Sequence, residues 1–179
     1  MPLARRPGQP PRLLGVVHLP ALPGSPLGNA PLAEVLRHAL ADATALMQGG
    51  ADGLIVENLG DRPYAAETVD PWTVAHMTRI ATALRDVVGD GALGINILRN
   101  DPIAALSVAS AVDADFIRVN VHTGAMVTDQ GVITGRARET VALKRQLGSR
   151  ARIAADIAVK HASPLGELDL PQTARDTFL

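Results

Sequence analysis

Apolar residues recur along this chain in two alternating rhythms. Five short runs, at 13–19, 53–58, 93–98, 116–121 and 153–159, are rich in Val, Ile and Leu and read as strands. Between them the spacing lengthens to that of helices. Leu32, Val35, Leu36, Ala39, Leu40, Ala43, Leu46 and Met47 form an i, i+3, i+4, i+7 stripe that Gly49-Gly50 stops. Asp70-Pro71 and Asp101-Pro102 each place an N-cap residue before a proline at the first helical position. The helix after Asp70 carries Val74, Met77, Ala81, Leu84 and Val88 on one side, and the one after Asp101 carries Ile103, Leu106 and Ala109. A less regular fourth helix spans 136–147, and a fifth begins near Asp169 and runs to the last residue. Strict strand–helix alternation predicts parallel strands joined by right-handed crossovers.

Period-two alternation in the densest run, 115–124, puts Ile117, Val119 and Val121 on one face and Arg118, Asn120 and His122 on the other. Such a strand makes a poor core element and a good pocket wall. The segment 51–57 echoes 114–120, so Glu57 takes the position of Asn120. After the first strand come His18-Leu19-Pro20-Ala21-Leu22-Pro23-Gly24, with no Gly-rich dinucleotide fingerprint, which disfavours a Rossmann sheet. The pattern instead predicts an α/β fold, a barrel of βα units. Barrels carry their chemistry at the C-terminal ends of the strands. The inward residues predicted there are His18, Glu57, Asn96, Asn100, Asn120, His122, Asp156 and Lys160.

Three of these suit proton transfer: Glu57, His18 and His122 are the catalytic candidates. An inward carboxylate is costly unless it meets a cation, a metal or a substrate donor, so Glu57 either faces a ligand or pairs with Arg118. His18 either contacts a ligand or caps the following Pro-rich loop. Asn96, Asn100, Arg118, Asn120, Asp156 and Lys160 are the candidates for orienting a substrate. The two amides Asn96 and Asn120 suit hydroxyl or carbonyl recognition, or else tie loops together. Lys160 admits three readings: a pair with Asp156, an anion contact, or an imine-forming amine. His18, Glu57, His122 and Asp156 have the donor types of a metal site, but no HxH or HExxH spacing supports one, so no metal ligand is assigned. The polar, Gly-rich segment 123–135 centres on Thr128-Asp129-Gln130-Gly131 and predicts a small hairpin over the rim, covering a ligand or merely closing that end.

Composition narrows the classes. With 47% apolar and 20% charged residues and a net charge of -1, the 179-residue chain reads as a soluble globular protein rather than a nucleic-acid binder. Its few aromatics argue further against base stacking. Arg5, Arg6 and Arg12 lie among prolines, so residues 1–12 read as a basic, Pro-rich, solvated tail ahead of a partial-barrel domain at 13–179. No apolar run approaches a membrane span, and the absence of cysteine fits a reducing compartment; the expected location is the cytoplasm. No cofactor is indicated.

The runs Gly15-Val-Val-His18-Leu-Pro20-Ala-Leu-Pro23-Gly24-Ser25-Pro26, Asp52-Gly-Leu-Ile-Val-Glu57-Asn58, Leu93-Gly-Ile-Asn96-Ile-Leu-Arg99-Asn100-Asp101 and Phe116-Ile-Arg118-Val-Asn120 resemble the BtpA/SgcQ family. Thr123-Gly-Ala-Met126-Val-Thr-Asp129-Gln130-Gly131 and Asp156-Ile-Ala-Val-Lys160-His161 extend the resemblance to essentially the whole chain after its tail. It implies an α/β fold of (β/α)8 TIM-barrel type and, through the family's labels, a non-enzymatic photosystem I biogenesis factor, then peripheral to a membrane; the rim residues point instead to a protein that binds or transforms a small sugar-, nucleoside- or phosphate-type metabolite. A full barrel takes roughly 250 residues, so only about the first five βα units are expected here. The chain then reads as a C-terminally truncated and even inactive member, or as a half-barrel that pairs with a second copy through its exposed sheet edges.

Overall fold

A computed structural model describes residues 13–178. The tail expected at 1–12 lies outside the described residues. The five strands that the apolar runs predict are β1 (Leu14–His18), β2 (Gly53–Glu57), β3 (Ala92–Asn96), β4 (Phe116–Val119) and β7 (Arg152–Ala155). They form one parallel sheet in the order β1-β2-β3-β4-β7. Helices α1 (Leu32–Gln48), α2 (Pro71–Val88) and α3 (Pro102–Ala111) make the first three crossovers; a hairpin, β5 (Ala125–Thr128) and β6 (Gly131–Thr134), and then α4 (Ala137–Gln146) make the fourth. Consecutive order with no reversal distinguishes this sheet from a doubly wound one and is consistent with part of a TIM-like barrel.

Parallel partners in register share a face, so the sheet has two distinct surfaces. Val17, Leu54, Val56, Leu93, Ile95, Ile117 and Val119 form the first and pack with Val35, Ala39, Met77, Ile80, Leu84, Leu106 and Val108 from the helices in one core. Successive helices lean on one another, α1 on α2, α2 on α3 and α3 on α4. The second surface carries Val16, Ile55, Gly94 and Phe116 in one row and His18, Glu57 and Asn96 in the next. Gly94 has no side chain for a physical reason: a Cβ there would sit 2.3 Å from the Phe116 ring, which lies across it.

Helix starts follow the Asp-Pro signals with one difference. Asp101 caps α3, accepting from the Ala104 amide at 2.9 Å, whereas Asp70 holds the N-cap position of α2 without a side-chain bond to the helix. The fifth strand is shorter than its apolar run. It stops at Ala155, and Val159 turns away with Ala162 to pack on a small second core of Val121, Met126 and Ile133 beneath the hairpin. Ser163–Pro164 (β8) then adds a third strand to the hairpin, a pairing absent from the sequence expectation. The last helix, α5 (Leu170–Phe178), starts after Asp169 as expected and buries no residue.

Candidate functional site

The C-terminal ends of β1, β2 and β3 align His18, Glu57 and Asn96 side by side, and β4 and β7 add Arg118, Asn120 and Asp156. These six groups form a polar band across the sheet. Arg118 is its hub. Its Nε and Nη2 donate to Asp156 Oδ1 and Oδ2 at 3.2 and 2.9 Å, a two-pronged bond that raises the Arg118 pKa, and its Nη1 lies 3.5 Å from Glu57 Oε2. His18 Nε2 approaches Glu57 Oε1 from the other side at 3.9 Å, and its side chain is half exposed. Asn96 Nδ2 donates to Asn120 Oδ1 and to the Arg118 backbone carbonyl, both at 3.0 Å, and Asn120 Nδ2 donates to Asp156 Oδ2 at 3.5 Å.

Within the band, Glu57 is the carboxyl that its surroundings raise. Burial pushes its carboxyl above the ordinary 4.5, and Asp156 adds to the rise, against the pull of Arg118, His18 and Arg99. The guanidinium offsets the desolvation without cancelling it. The result is a buried carboxyl with a shared cation on one side and a solvent-reachable imidazole on the other. Such a pair can pass a proton to or from a ligand at the rim. Arg118 stands between Glu57 and Asp156 where a shared cation would sit, and among the described residues no three His, Asp or Glu side chains cluster as metal ligands do.

Three of the sequence candidates sit differently. Lys160 is exposed on a turn past the end of β7, forms no ion pair among the described residues, and leaves Asp156 to Arg118; the early end of the strand is the cause. His122, three residues past the end of β4 at Val119, makes no hydrogen bond with the band and lines a groove against α4 and α5 instead. Burial lowers its pKa below 6.5. Asn100 is spent on structure: its amide nitrogen donates to the Val121 carbonyl and its oxygen accepts from the Val121 amide, both at 2.9 Å.

Sequence reasoning missed a second polar layer under the rim. Buried Asn58 accepts from the Leu98 amide at 2.7 Å and donates to Asp61 at 3.0 Å, while Asp61 accepts from the Leu22 amide at 2.7 Å. Three loops are pinned by two side chains. Arg99, its guanidinium 4.7 Å above the Tyr64 ring, pairs with Asp129 at the tip of the hairpin at 2.7 Å. The hairpin predicted over the rim is therefore tied to the loops after β2 and β3. The signals were there as Asn58 and Asp61 directly after Glu57, and as the Arg99-Asn100-Asp101 run. A cavity of 620 Å³ lies elsewhere, at the N-terminal end of the sheet between Leu14, Ala92, Phe116, Arg152 and Ala154, away from this chemistry.

A consecutive parallel α/β sheet with a charged band at its C-terminal ends defines the class. Within it the chain belongs to the BtpA family, whose sequence profile matches residues 10–179. It is 48% identical over 166 residues to the photosystem I biogenesis protein BtpA of Synechocystis, covering 93% of this chain and 58% of that protein. An uncharacterised protein of Thermococcus kodakarensis is 48% identical over 88% of this chain and 59% of its own length. A mitochondrial protein of Caenorhabditis elegans, also uncharacterised, is 33% identical over 93% of this chain and 62% of its own. The chain thus spans about three fifths of the length of these relatives. No solved structure matches it.

Proposed function

We propose that the polar band is the floor of a metabolite site on a barrel of the (β/α)8 type, and that Glu57 with His18 exchanges a proton with a small polar ligand. The observation that carries this reading is the environment of Glu57. A carboxyl 5% exposed, pushed upward by burial and held by nothing closer than a 3.5 Å contact with Arg118, is poorly placed as a structural ion pair. It is well placed as an acid or base at the rim. Asn96, Arg118, Asn120 and Asp156 supply donors and acceptors for hydroxyl, carbonyl or phosphate groups. Lys160 and Asn100 take no part in this band, and His122 belongs to another groove. The test is thermal-shift screening of sugars, nucleosides and their phosphates against the chain and its Glu57→Gln variant. A ligand that stabilises the parent and loses that effect in Glu57→Gln supports the reading. A panel that stabilises neither counts against it.

A second reading rests on the 48% identity to a photosystem I biogenesis protein. It makes the chain a biogenesis factor without catalysis, acting in a phototroph through its surface. No helix among the described residues is long and apolar enough to cross a membrane. The two readings part on one variant. In a Synechocystis strain lacking its own BtpA, a catalytic role predicts that Glu57→Gln fails wherever the parent chain restores photosystem I, and a surface role predicts equal restoration.

A further inference from the structure

The groove that takes His122 is lined by none of the band's residues and lies between α4 and the C-terminal end of α5. One face of α4 presents Arg138, Val141, Ala142 and Arg145 to it at i, i+3, i+4 and i+7. Neither arginine forms an ion pair among the described residues. The first turn of α4 has no side-chain cap, so its leading amides, with their share of the helix dipole, lack an acceptor from a capping residue. His122 is held against that turn: a Cβ on Gly135, two residues before α4, would lie 2.4 Å from the His122 carbonyl.

His122 itself is 7% exposed, and its Nδ1 is buried with no hydrogen-bond partner. An orphan N–H in that position costs more than an orphan lone pair, which favours the tautomer with the proton on Nε2. Nε2 then carries the proton and is the donor that His122 has to offer to the groove it lines. The groove's lining consequently offers donors from three sources: the imidazole, the uncapped first turn of α4 and Arg138. Along α4 from there runs an apolar strip of Val141 and Ala142. On the facing wall Asp176, held by Gln172 at 2.7 Å, repels a second negative charge.

We infer that this groove binds a small organic oxyanion with a single charged end, a phosphate monoester or carboxylate, whose charge lies between His122, Arg138 and the first turn of α4 while its apolar body lies along Val141 and Ala142. Backbone amides at a helix start and an arginine fork suit either oxyanion. This site stands independently of the metabolite site proposed at Glu57.

The test is titration of the 15N-labelled chain, followed by amide and imidazole resonances, with phenyl phosphate, benzoate, inorganic phosphate and benzyl alcohol. Phenyl phosphate or benzoate is expected to shift the amides of Ala137, Arg138 and Glu139 and the His122 Nε2 resonance saturably, the tighter of the two naming the oxyanion. Inorganic phosphate should bind more weakly and benzyl alcohol not at all. Arg138→Ala should weaken the binding by about tenfold or more, the worth of one charge-assisted bond, and Arg37→Ala on α1 should leave it unchanged. Absence of saturable shifts at α4 overturns the proposal. So do equal losses in Arg138→Ala and Arg37→Ala, or binding of benzyl alcohol as tight as that of the anions. His122→Asn should also weaken binding; if that variant does not fold, an unmoved His122 Nε2 resonance in the parent chain is the overturning result.

Discussion

The two faces of the parallel sheet are built from the same strands yet obey different rules. On the helix-covered face Val17, Leu54, Leu93, Ile95 and Ile117 are fully buried, each filling space that α1, α2 and α3 close from above. One residue along the same strands, Val16 is 36% exposed, Phe116 is half-buried over Gly94, and Glu57, Arg118 and Asp156 follow at the rim. The first face owes its composition to close packing, where a missing methylene leaves a void. The second is free of that demand, which is why it can hold charges. Close packing and buried charge are thus separated by a single step in the backbone.

The sharpest way to break this comparison is to empty the packed face. Ile117→Ala is expected to cost about 2–5 kcal/mol in urea unfolding, from lost transfer energy and an unfilled cavity. Next in size is the hub of the other face. Arg118→Met should cost about 1–3 kcal/mol near pH 7, because Glu57 and Asp156 lose their shared donor. It should also move the Glu57 carboxyl resonance to titrate at still higher pH, since the opposing pull of Arg118 is gone. A Glu57 titration unchanged in Arg118→Met would dissolve the band into independent groups.

Smaller and opposite in sign are two pH effects. The Glu57 carboxyl is raised from 4.5 in the fold, so its contribution to stability is complete below pH 4.5 and is lost as pH rises through the raised value. Glu57→Gln, which mimics the protonated form, should match the parent at low pH and gain on it toward neutrality. His122 is lowered from 6.5, so its contribution is complete above pH 6.5 and is lost as pH falls through the lowered value. His122→Asn should flatten that acid-side loss. Urea midpoints measured between pH 4 and 8 check both slopes, and a parallel response of the two variants would refute the assignment of opposite shifts.

Much of the packed face was legible in the sequence because burial selects residue type at every second position, and Val17, Leu54, Val56, Ile117 and Val119 obey that rule. The rim was legible as a set of residue types on one side of the strands, and the Glu57–Arg118 contact, an open alternative there, is formed. What alternation alone does not reveal is where a strand ends. Val159 has the right character to extend β7, but its apolar surface finds a better partner in Val121, Met126 and Ile133 under the hairpin, and Lys160 leaves with it. His122 is displaced by the same logic at the end of β4. Asn100 shows a different limit. Its residue type suits a ligand contact, but an amide with a free backbone N–H and C=O beside it satisfies both, and nothing local distinguishes the two fates.

The smallest expected effect, that of Val16→Thr, is also the most discriminating, because it is read against the same substitution at the adjacent position. Val17→Thr buries a hydroxyl among α1 side chains with no acceptor provided, at about 1–3 kcal/mol. Val16→Thr points the same hydroxyl at an open surface and should lie within about 0.5 kcal/mol of the parent. The chemical change and the local strand propensity are shared, so the difference between the two isolates the covering of each face. If Val16→Thr costs as much as Val17→Thr in urea unfolding, the second face is covered in solution, and a chain-concentration dependence of that cost would identify a second copy as the cover. A near-zero cost at Val16 leaves the rim above it open to the small ligands proposed for Glu57.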